Sequence, residues 1–177
     1  MKTGGGALKG AAWERKCCKG LSRWTTDGKR DDIYWRTAMS GGRATFQLKQ
    51  DIINRAQAGD MTAISPEGFA LAERCLFEMK HYKDLNFTAL LTNGTGLLAG
   101  FWRTTQNTAA RLGKIPVLIA KQNHYPAVVL APREERVFNH GLWATLWGLD
   151  AELRWFEEAT KVERPLIKRP SERRAAE

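Results

Sequence analysis

The run Ile115-Pro116-Val117-Leu118-Ile119-Ala120-Lys121 constrains the fold more than any other stretch of the chain. A strand with one wet face alternates polar and apolar residues, whereas a near-continuous apolar run marks a strand covered on both faces. Such a strand needs packing layers above and below it, which points to an α/β architecture. The segment before it supplies one layer. From Leu97 to Leu112, residues Leu97, Leu98, Phe101, Trp102, Ala109 and Leu112 recur at helical spacing, with Gly113 placed as a C-terminal cap. A second helix is predicted from Ala11 to about Trp24, where Trp13, Cys17, Leu21 and Trp24 form an apolar face and Asp27-Gly28 provides the stop.

Further strands are expected at Ile33–Ala38, ended by Ser40-Gly41-Gly42, and at Ala127–Pro132. Asp60–Ile64 and Phe69–Lys80 read as two strands of a hairpin, because Ser65-Pro66-Glu67-Gly68 between them suits a tight turn. Residues 43–57 read as an insertion, either a loop or a short helix, and periodicity does not distinguish the two. Leu142–Leu149 is apolar but ambiguous, and Asp150 is placed to cap a short helix through Thr160. The expectation is one domain over residues 1–160, with residues 1–8 disordered, and a basic, mobile tail over 161–177. Its fold class is α/β, a mixed central sheet flanked by helices.

Composition narrows the setting. No apolar run approaches the roughly 18 to 20 residues that span a bilayer. The N-terminus lacks the apolar core of a secretory signal, so a cytoplasmic location is expected. Cys17, Cys18 and Cys75 fit neither a disulfide framework nor a zinc site and are read as buried structural thiols. The net charge is +9, and it is uneven. Residues 1–55 hold twelve Lys/Arg against five Asp/Glu, residues 56–160 ten against eleven, and residues 161–177 six against three. Basic ends suit a polyanion, although the same charge also serves as an ordinary solvated surface.

The chemistry concentrates in Gly59-Asp60 and Glu78-Met79-Lys80. Strand alternation puts Glu78 and Lys80 on one face. If Asp60 lies on a neighbouring strand, two carboxylates meet at one end of the sheet, which suits Mg²⁺ or Mn²⁺, hard ions that bind oxygen and keep waters for substrate phosphates. Lys80 can then orient or help deprotonate an attacking water and stabilise charge on the phosphate. A lone Glu-x-Lys is more often a plain surface ion pair; what favours catalysis is the ensemble of a Gly-Asp, an apolar strand running into Glu-x-Lys, and a basic chain.

A helical Glu in Ala12-Trp13-Glu14-Arg15, the Gly-Asp, the Glu-x-Lys, and a helix ending in Gly-Lys-Ile-Pro before a strand closing on Lys121 together resemble the PD-(D/E)XK nuclease superfamily. The layout over residues 10–122 is most similar to archaeal-type Holliday junction resolvases and their phage relatives. The resemblance implies a restriction-endonuclease-like core, with Glu14, Asp60 and Glu78 as metal ligands and Lys80 as the catalytic lysine. It also implies a role for Ser40, although twenty positions separate it from Asp60, longer than the family pattern, and Gly59 stands where the superfamily has Pro.

Arg36, Arg43, Lys49, Arg55 and Lys121 are candidate DNA contacts, against the alternative of exposed loop and strand-end charges. His81 follows Lys80 but points to the other face and reads as structural. Trp13, Trp24 and Trp102 read as core, whereas Trp143, Trp147 and Trp155 are candidates for a dimer contact. The functional expectation is a Mg²⁺-dependent endonuclease that resolves four-way DNA junctions as a homodimer. The alternatives are a phage nuclease acting on replication or packaging intermediates, and a DNA-binding accessory protein that does not cut.

Overall fold

The computed structural model describes residues 5–37, 58–132, 144–146 and 151–155. Along the chain the elements are α1 (Gly5–Thr25), β1 (Tyr34–Arg36), β2 (Met61–Ala63), α2 (Pro66–Arg74), β3 (Cys75–Tyr82), α3 (Phe87–Asn93), α4 (Leu97–Leu112), β4 (Ile115–Gln122), β5 (Ala127–Ala131), β6 (Ala144–Leu146) and β7 (Ala151–Trp155). Five strands form the main sheet in the order β3-β4-β5-β7-β6. β3 and β4 run parallel with Cys75 opposite Ile115, and the remaining neighbours are antiparallel. β1 and β2 form a separate antiparallel pair. This is the expected α/β class with a mixed sheet flanked by helices.

The apolar run takes the position its composition demands. β4 lies between β3 and β5, and Val117, Leu118, Ile119 and Ala120 are all buried. On one face Val117 and Ile119 join Phe77, Met79 and the α1 residues Trp13, Cys17, Leu21 and Trp24; on the other, Leu118 and Ala120 join Leu98 and Trp102 of α4. The three cysteines are thiols buried in the α1-side core. Parallel β3 and β4 need a crossover, which α3 and α4 supply. α4 begins at Leu97 and ends at Leu112, where Gly113 adopts φ 62° and donates its backbone N–H to the last turn. Of its expected apolar face, Leu97 is exposed and Phe101 half-buried.

Three expectations are corrected. The hairpin does not exist: residues 66–74 form α2, and only from Cys75 onward is the second segment a strand. Ser65-Pro66-Glu67 carries two sets of signals, because Ser as N-cap residue and Pro in the first turn open a helix as readily as a turn. Gly68 and Leu71, one turn apart, are the buried face of α2. The helix after Asp150 is a strand, β7, paired to both β5 and β6. α1 begins at Gly5, so residues 5–8 are helical rather than disordered. The connection after β3 contains α3, capped by the Asn86 side chain, which accepts from the Ala89 N–H at 3.1 Å. The insertion at 43–57, the tail at 161–177, Trp143 and Trp147 lie outside the described residues; Trp155 closes β7. Among the described residues no helix is long and apolar enough to cross a membrane.

Candidate active site

Asp60 is the pivot. Its N–H donates to the Phe77 carbonyl at 2.8 Å, and its carbonyl accepts from the Thr37 N–H at 3.0 Å. The residue therefore stitches the β1–β2 pair to the outer edge of β3. Its side chain continues the stitch: Oδ2 accepts from the Met79 N–H at 2.7 Å, taking the place of a strand carbonyl. Asp60 thus stands beside Glu78 and Lys80 as the sequence requires, although through an edge contact instead of a hairpin. The preceding residue explains why the superfamily's Pro is missing. Gly59 has φ +85°, and a Cβ there would lie 2.6 Å from the Phe77 carbonyl oxygen. Proline, with φ fixed near −65°, cannot adopt that backbone, and glycine can.

Around Asp60 the charges are ordered in pairs. Lys80 donates to Glu78 Oε1 on the same face of β3, and its ammonium lies over the Phe101 ring of α4, 5.7 Å from the centroid. Arg36, the last residue of β1, donates through Nε to Glu14 Oε2 at 2.8 Å. That bond crosses from β1 to α1, where Glu14 is nearly enclosed, its side chain 12% exposed. Arg36, expected along a DNA channel, is thereby a neighbour of the carboxylates. Sequence reading missed the partnership because twenty-two positions separate the two residues.

The field at this edge is negative. Asp60 is 3% exposed. Burial, then the charge of Glu78, with a smaller contribution from Glu14, pushes its carboxyl up to about 7 against the opposing pull of Lys80 and the Met79 N–H. Cys18 on α1 feels the same field: burial first, then Glu14 and Asp60, pushes its thiol up to about 12. For Lys80, burial alone would lower the pKa, but Glu78 and then Asp60 outweigh it and raise it, so its amine stays an ammonium at neutral pH.

Three carboxylates, one deeply buried, are a hard-oxygen donor set of the kind that holds Mg²⁺ or Mn²⁺. Among the described residues no three acidic, His or Cys side chains are mutually placed to coordinate one ion. Glu14 and Glu78 are instead each turned to a cation, Arg36 and Lys80, while Asp60 keeps one oxygen clear of the Met79 bond. In donor chemistry the three carboxylates fit a divalent ion.

The sequence profile of a family described as "Phage putative PDDEXK endonuclease" matches residues 7–143 of the 177. The chain belongs to this family. No curated protein and no solved structure matches the chain. Family membership makes the chain a nuclease with a PD-(D/E)XK fold, and the match spans α1, both small strands, β3 and β4, every described element that carries a candidate residue. In this PDDEXK endonuclease Lys121 is the penultimate residue of β4, where its Nζ donates to the Tyr125 carbonyl. Ser40, Arg43, Lys49 and Arg55 lie outside the described residues. His81 faces away from Lys80, its ring edge-on to Trp13 of α1 at 5.8 Å, while Trp13, Trp24 and Trp102 are core residues as expected.

Proposed function

We propose that this nuclease is a divalent-metal-dependent DNA endonuclease in which Asp60, Glu78 and Glu14 are the metal ligands and Lys80 acts on the scissile phosphate. One observation supports this above the rest: a buried carboxylate, Asp60, is fastened by backbone and side chain to the Glu-x-Lys strand. A structural aspartate gains nothing from a position where burial and two neighbouring glutamates oppose its ionisation; a metal ligand does. Bound Mg²⁺, or Mn²⁺ in its place, would supply phosphate charge neutralisation and an acidified water.

The chain's own groups do the rest. Lys80, protonated and oriented by Glu78, donates to the phosphate oxygens on which charge accumulates as the attacking oxygen bonds to phosphorus. Its charged state makes it an electrostatic stabiliser and not the base. Arg36 neutralises Glu14; with Glu14 holding a metal, the Arg36 guanidinium would be available to a DNA phosphate. Arg43, Lys49 and Arg55 of the inserted segment, with Lys121, extend the phosphate contacts, and Ser40, which precedes that segment, takes the role that the resemblance implies.

On substrate, the resemblance in layout favours four-way junctions cut by a two-fold dimer, one site per subunit. The family's phage description favours a second reading, a nuclease for replication or packaging intermediates. Cleavage of a four-way junction and of a linear duplex built from the same arms, in Mg²⁺, separates the two. Paired, symmetric cuts in the junction with the duplex left whole are expected. Equal cutting of both removes the junction assignment and leaves the second reading.

A further inference from the structure

A second cluster lies on the α1 face at the carboxyl ends of β3 and β4. His81 and Lys121 are partners in the β3–β4 register, and both follow core residues of that face. Lys9, in the second turn of α1, donates to Asn123 Oδ1 at 2.6 Å, and the Asn123 N–H donates at 3.1 Å to the carbonyl of Tyr82, the residue after His81. Asn123 thus ties Lys9 to the end of β3 and β4 that carries His81 and Lys121. Among the described residues none of Lys9, His81 and Lys121 has a carboxylate within ion-pair distance, unlike Lys80 and Arg36 in the active site. The first turn of α1 adds no acidic residue either. Trp13 fixes the imidazole from one side, so the cluster is ordered as well as basic.

The Lys9 and Lys121 charges, placed around His81 without a counterion, cost energy that an anion recovers. The Lys9 and Lys121 ammoniums each have two N–H groups beyond the single bond that each makes, and the His81 ring gains a second N–H donor when it is protonated beside an anion. Burial, then Lys9 and Lys121, lower the His81 pKa, as expected for a ring among cations with no acid beside it. Because His81 follows Lys80 directly on β3 and turns to the other face, an anion here is one residue along the strand from the catalytic lysine.

We propose that Lys9, His81 and Lys121, gathered around Asn123, form a phosphate-binding site that grips the DNA backbone beside the Glu-x-Lys strand, on the sheet face opposite Lys80. This rests on the reading of the chain as a DNA endonuclease. The contact positions the substrate without reading its bases. It also assigns His81 a role that its structural packing alone does not.

The test is the salt dependence of binding to a fluorescent DNA duplex, followed by anisotropy in EDTA, alongside cleavage in Mg²⁺. Lys9→Gln/Lys121→Gln should weaken binding about tenfold or more and flatten the slope of log Kd against log salt by roughly 0.9 per lost phosphate contact. Asn123→Asp, which keeps every cation but sets a carboxylate among them, should also weaken binding. Lys29→Gln/Arg111→Gln removes two exposed charges elsewhere and should change the slope much less. Wild-type slope and affinity in both cluster variants, or an equal loss in the Lys29/Arg111 control, overturns the phosphate site while leaving the nuclease intact. A wild-type protein that neither binds nor cuts DNA instead overturns the endonuclease reading on which the site depends.

Discussion

At the scale of single residues, the site is most legible where chemistry is carried by residue type. Gly-Asp and Glu-x-Lys are visible in sequence because the proposed metal site demands carboxylates and strand alternation places Glu78 with Lys80. The Glu14–Arg36 pair was not legible, since it joins a helix to a strand in space alone. The raised pKa of Asp60 has a consequence for stability. A carboxyl lifted from about 3.8 unfolded to about 7 folded favours the folded state when protonated; that contribution is complete below pH about 4 and is lost as pH rises through about 7. Asp60→Asn keeps an acceptor for the Met79 N–H and removes the buried charge. In metal-free protein it should therefore raise Tm at pH 8 by several degrees and by much less at pH 5, as measured by calorimetry in EDTA. A variant less stable than wild type at pH 8 would show that Asp60 is a structural anion. Function kept at a cost to stability is the usual bargain of such sites.

At the scale of elements, periodicity served where packing was one-sided or complete and failed where one signal has two meanings. α4 and β4 match their expected spans because a capping glycine and an unbroken apolar run admit few alternatives. α2 was read as strand because turn and helix-start residues overlap, and its burial is carried by a glycine, which no hydrophobic pattern reports. Gly68 lets α2 press onto the β1–β2 pair: a Cβ would meet Tyr34 Cε1 at 2.6 Å and Ile33 Cγ2 at 2.7 Å. Both side chains are fully buried and have little room to retreat. Gly68→Ala should thus destabilise the fold by about 1–3 kcal/mol despite alanine's better helix propensity. Gly100, within α4 with nothing within 4 Å of its would-be Cβ, makes the contrast: Gly100→Ala should stabilise by about 0.5–1 kcal/mol. Urea unfolding of both variants checks the pair, and equal effects of one sign would show that α2 does not sit as closely as described. Ser22 is a further element-level device hidden from sequence. Its hydroxyl donates to the Cys18 carbonyl and accepts from the Ile33 and Tyr34 N–H groups, locking β1 to α1 and thereby setting Arg36 beside Glu14.

At the scale of the whole molecule, β3 is an edge strand of the main sheet, and its outer side receives Asp60. α1 brings Glu14 to that edge from one face, and Lys80 projects beneath it toward α4. The fold class was readable because an apolar central strand between helices has few solutions; the strand order was not, because β6 and β7 carry little periodic signal over three and five residues. Substrate geometry is a property of assembly and surface charge, beyond what four site residues encode. Metal-dependent cleavage at Asp60 is the claim on which everything else rests. The direct measurement is cleavage of DNA, junction and duplex, by wild type and Asp60→Asn in Mg²⁺, in Mn²⁺ and in EDTA. Wild type should cut with either ion and not in EDTA. Asp60→Asn should bind DNA yet lose at least about a hundredfold in rate, since even outer-shell partners of a metal site are worth about 10- to 100-fold. Undiminished cutting by Asp60→Asn, or none by wild type with either ion, would contradict it.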